Sequence, residues 1–65
     1  STAEIEQTAH RILEHVRKNP GQRAEVIKKS LNLKTNEWAL PIARLLEKKQ
    51  LRTKGEKRAT TYTSA

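Results

Sequence analysis

Six cations crowd one short span of this chain: Lys48, Lys49, Arg52, Lys54, Lys57 and Arg58, opposed only by Glu56. Ammonium and guanidinium groups at that density suit an anion with repeated charges, because each phosphate they neutralise releases a counterion. Upstream stand residues of a second kind. Arg44 can fork onto guanine O6 and N7, or simply contact a phosphate, and Asn36 can read adenine or cap a helix. Leu40 can touch a thymine methyl or pack beneath a bent helix. Lys34 and Thr35 suit phosphate. Trp38 has the chemistry to stack on a base, but its helical phase with Ile42 and Leu45 places it in a core. His10 and His15, five residues apart, diverge by about 140° on a helix at about 100° per residue, so they cannot share a metal. His10 and Glu14 are an i, i+4 pair, yet two ligands make no site. Both histidines are expected at the surface. No nucleophile–base pair, paired carboxylates or glycine-rich phosphate loop appears. The chain is therefore not expected to be an enzyme, and no cofactor, metal or small-molecule substrate is expected.

Three helices and a hairpin would have to position these groups. Ile5, Ala9, Ile12, Leu13 and Val16 recur with the period of one helical face, predicting a first helix up to about Lys18, with Ser1 as N-cap and Glu4 as its capping-box partner. Asn19-Pro20-Gly21 stops it. A short second helix starts near Gln22 or Arg23, faces inward through Ala24, Ile27 and Leu31, and ends at Leu31-Asn32-Leu33, where Asn32 tolerates a left-handed turn. The third helix spans about 35–50. Trp38, Ile42, Leu45 and Leu46 form its core stripe, with Asn36, Leu40, Ala43, Arg44 and Glu47 opposite. Pro41 either bends this helix or starts it; the phase of Trp38 favours a start near Thr35 or Asn36. After Gln50 the period changes. Leu51-Arg52-Thr53 and Ala59 to Thr63 read as strands about a charged loop with Gly55, and Leu51 and Tyr62 point inward together. A third short strand near residues 20–22 is one way to complete the sheet.

Sixty-five residues make one small domain, 1–65, near the lower limit for a core without staples. No cysteine is present to supply a disulfide or thiolate site. The formal net charge of +7 exceeds what solubility needs and points to a polyanion. No apolar run approaches the roughly twenty residues of a membrane span, and no signal-peptide pattern opens the chain. A start without Met and almost directly in a helix suggests a domain excised from a longer protein.

The order helix, turn, helix, turn, helix and basic hairpin resembles the winged helix-turn-helix superfamily over essentially the whole chain. The carriers are Ile27 to Leu33 with its Leu-x-Leu turn, Leu45 to Arg52 as the exit from the third helix, and Lys54 to Tyr62, which is similar to the wing of many prokaryotic members. Pro41 departs from that pattern. The resemblance implies an α+β, mostly α, fold: a three-helix bundle followed by a two-stranded wing. It also implies binding of double-stranded DNA, with the third helix in the major groove and the wing, 51–63, on the backbone or minor groove. The groove-side candidates are then Lys34, Thr35, Asn36, Leu40, Arg44 and Lys48; the wing candidates are Arg52, Lys54, Lys57, Arg58 and Thr60. Transcription regulation or chromosome organisation in a bacterial cytoplasm or nucleoid is the expected setting. A protein-interaction module, with a partner set by the full-length context, an RNA-binding domain and the DNA-targeting module of a larger enzyme are the alternatives.

Overall fold

In the computed structural model the chain forms α1 (Thr2–Lys18), β1 (Gln22–Arg23), α2 (Ala24–Leu31), α3 (Thr35–Glu47), β2 (Leu51–Lys54) and β3 (Thr61–Ser64). Residues 2–56 and 59–65 are described. The expected cap at Ser1 and the wing candidates Lys57 and Arg58 lie outside them. The class is α+β and mostly helical. The sheet exceeds the expected hairpin by one strand: β3 is central, with β1 and β2 antiparallel on either side of it. That third strand is Gln22–Arg23, a residue or two later than the sequence suggested, so α2 starts only at Ala24. No helix among the described residues is long and apolar enough to cross a membrane.

The core follows from the apolar phases. Ala9, Ile12, Leu13 and Val16 of α1 are buried against Ile27 of α2, against Trp38, Ile42 and Leu45 of α3, and against Leu51 of β2. Ala24, Leu31, Leu33 and Tyr62 close its margins. Leu46 departs from the predicted stripe: it is 37% exposed, while Pro41 is buried. The buried arc of α3 is turned toward α1, which takes in Pro41 and leaves Leu46 on the far shoulder. Pro41 lies inside a continuous helix, beside Ile5 and Thr8 of α1. It fills core volume there and forgoes the bond its N–H would have made to the Glu37 carbonyl.

Two turns orient α3. Asn32 is left-handed (φ 56°), and the Leu33 N–H bonds the Lys28 carbonyl at 2.8 Å while the Asn32 N–H bonds that of Lys29 at 3.2 Å. This is the Schellman pattern, and it turns the chain out of α2 and into α3, which packs on α1, after only three linking residues, Asn32 to Lys34. The same pattern ends α3. Lys49 is left-handed (φ 59°), with Gln50 N–H on the Leu45 carbonyl at 2.9 Å and Lys49 N–H on that of Leu46 at 3.1 Å. The helix therefore stops at Glu47, earlier than the expected residue 50, and Leu51 turns into the core at 3% exposure.

Candidate nucleic-acid interface

The register of the sheet decides where the hairpin cations point. Gln22 pairs with Tyr62, Thr53 with Tyr62, and Leu51 with Ser64. Directly paired residues share a face, so these five look toward the helices. Tyr62 meets Trp38 edge to face with ring centroids 5.5 Å apart, a favoured aromatic geometry. Burial pushes the Tyr62 phenol above its ordinary value. The alternate positions, Arg23, Arg52, Lys54, Thr61 and Thr63, look away from the helices, with Arg23 and Lys54 both opposite Thr61 and Arg52 opposite Thr63. Arg23, Arg52 and Lys54 are exposed, and none makes an ion pair among the described residues. Gly55, with φ +93°, continues the chain out of β2; a Cβ there would lie 2.7 Å from the Ala59 carbonyl oxygen. Only glycine fits both demands.

The helix carries its candidates differently from the expectation. Arg44 does not project freely from the outer face. Its Nη1 donates to Glu6 Oε1 of α1 at 3.2 Å, and Lys48 Nζ donates to Glu6 Oε2 at 3.3 Å. Both cations sit on the flank of α3 that faces α1, because the buried arc of α3 is rotated toward that helix. The face that remains open carries Thr35, Asn36, Ala39, Leu40, Ala43 and Glu47, all exposed.

At its start, Lys34 occupies the N-cap position with extended backbone, and its N–H donates to Glu37 Oε1 at 3.0 Å. Asn36 is therefore not the cap. It lies one turn from Leu40, and both line a shallow groove with Glu4, Ile5, Thr8, Glu37 and Pro41. Leu40 is 59% exposed, so it does not pack under a bend. Thr35 Oγ1 accepts from Lys28 Nζ at 3.5 Å, which brings a cation from α2 to the head of α3.

The structure thus gathers Lys34, Thr35, Asn36 and Leu40 at the head of α3 and ties Arg44 and Lys48 to α1. It places Arg52 and Lys54 on another side of the molecule, and Thr60 is half-buried just before β3. Three participants escaped the sequence reading, among them Lys28, which reaches the head of α3 through Thr35. Arg23 joins the hairpin cations only through the β1–β3 register. Glu6 borders the apolar stripe of α1, as Arg44 and Lys48 border that of α3; opposite charges flanking two packed stripes are the signal that could have found the pair. His15 was expected at the surface but is half-buried, with Nε2 2.7 Å from Gln22 Oε1. Among the described residues no group of three or more His, Cys, Asp or Glu could hold a metal ion. Comparisons with family models, with curated proteins and with solved structures find no match.

Proposed function

We propose that this domain is a winged helix-turn-helix module that binds double-stranded DNA, with α3 entering the major groove head first. The observation that carries the reading is the open face of α3. Four buried residues, Trp38, Pro41, Ile42 and Leu45, lock one side of the helix. The other side holds no core residue, and Ala39 and Ala43 keep it low enough for close approach to base edges. Lys34, the Lys28 ammonium and the positive end of the helix dipole favour phosphate at its head. Glu47 disfavours phosphate at its tail, so the helix is polarised along its length. Asn36 and Leu40 then lie deepest, suited to adenine and to a thymine methyl. Arg44 belongs with the support of the helix. The order of three helices and a β-hairpin supports the same assignment, and its prokaryotic-type wing suits a bacterial regulator or nucleoid protein.

The test is binding of a labelled duplex, followed by anisotropy, to the parent and to Ala43→Glu. The new carboxylate lies in mid-face, far from any core contact. It is expected to weaken binding by about tenfold or more at low salt, about 1.4 kcal/mol or more, with an unchanged melting temperature. Equal affinities would remove α3 from the interface. Preference for an RNA duplex of equal length would move the reading to RNA.

One observation favours a second reading, a protein-interaction module: Leu40, at 59% exposure, borders a groove floored by Ile5 and Pro41. Absence of duplex binding at low salt would leave that reading in place.

A further inference from the structure

We propose that the outward face of the sheet is a second phosphate-binding surface, built on Arg23, Arg52 and Lys54, so that one copy of this domain can hold two segments of duplex DNA. The inference rests on the reading of α3 as the first DNA surface. Trp38 points from α3 to Tyr62 on the inner face of the sheet. At about 100° per residue, Asn36, Ala43 and Glu47 stand about 140–180° round the helix from Trp38. The open face of α3 therefore looks away from the sheet, while Arg23, Arg52 and Lys54 look away from α3. The body between them has Cα extents of 30 × 22 × 21 Å. A single straight duplex cannot lie against both faces.

The composition of the outer face fits a backbone and no base. Among the described residues of the three strands, the outward positions are three cations and two threonines, with no carboxylate. Arg23 and Lys54 flank Thr61 at a separation of about 10 Å, two strand spacings, and Arg52 lies about 7 Å from Lys54 along β2. Thr61 and Thr63 are short and half-buried, so nothing between the long side chains stands in the way of a phosphate row. The Thr61 hydroxyl is already spent on the Lys54 carbonyl at 3.3 Å, which leaves Thr63 as the free hydroxyl of the plate. Flexible cations on a flat surface give affinity that is steep in salt and indifferent to sequence.

A different role for the same cations is protection of the edge strands β1 and β2 against pairing with other chains, and the experiment separates the two. Native mass spectrometry of the whole chain with an excess of short duplex at low salt should give a complex of one protein and two duplexes. Arg23→Gln with Arg52→Gln should reduce it to one and one, leaving the affinity of the first binding step within about twofold of the parent's. Trp38 emission identical to the parent's shows that the variant is folded. A parent that stops at one duplex overturns the second surface and leaves α3 standing; a parent that binds none overturns both. Retention of the second duplex by the double variant, a complex of two proteins with two duplexes, or new self-association as the only effect would each overturn the proposal.

Discussion

Glu6 offers a perturbation in which stability and binding should move in opposite directions. Its two carboxylate oxygens accept from Arg44 at 3.2 Å and from Lys48 at 3.3 Å, and all three side chains are 41–51% exposed. Exposed pairs of this kind contribute only about 0.2–1 kcal/mol each after screening and side-chain entropy. Glu6→Gln should therefore cost no more than about 2 kcal/mol, a loss visible in a urea titration but short of unfolding. The effect on DNA has the other sign. The substitution removes one negative charge and frees two cations on the flank of α3. If one or both then reach phosphate, log K against log salt steepens by about 0.9 per contact, which is roughly 3.5-fold in affinity across a fourfold change in salt. The gain should be equal on any duplex sequence, because these groups sit off the groove-facing side. Anisotropy titrations at four salt concentrations, with urea melts of the same samples, measure both quantities. Unchanged or weaker binding by a folded Glu6→Gln protein would refute the placement of this flank beside the DNA.

Trp38→Ala should cost about 3–5 kcal/mol, since it empties a buried ring site and removes the edge contact to Tyr62. At about 0.05–0.15 kcal/mol per residue a domain of this length has little more to lose, so far-UV circular dichroism should show a largely unfolded chain; a parent-like melt would place Trp38 outside the core. Tyr62 makes stability fall at alkaline pH. The fold holds its phenol neutral above the ordinary value of 10.0, so stability is fully present below about pH 10 and is lost as pH rises from there through the raised folded value. Phenolate absorbance in the folded protein checks the direction, Tyr62→Phe should remove the alkaline loss, and ionisation at or below the ordinary value would contradict the burial argument.

Periodicity alone determined the helices and most of the core. Ile12, Leu13, Val16, Ile27, Trp38, Ile42 and Leu45 declare themselves by spacing, because a helix with one apolar side has a single way to leave water. Asn32 was readable as a left-handed turn because few other residues tolerate that backbone. That Leu51 and Tyr62 both point inward followed from strand alternation, although the register sets Leu51 opposite Ser64 and Tyr62 opposite Thr53. Spacing could not say how far each helix is rotated about its axis. That angle is set by what packs beside it, and here α1 drew Pro41 into the core, left Leu46 outside and turned Arg44 from the expected groove face to Glu6, thirty-eight residues away. The end of α3 at Glu47 was also hidden, since Lys49 is not a residue that announces a left-handed cap; the need to bring Leu51 into the sheet imposes it. Arg23 lay in plain view as one cation among many. Only the register of β1 on β3, a contact between distant parts of the chain, set it across from Lys54 and made the outer sheet face a surface of one sign.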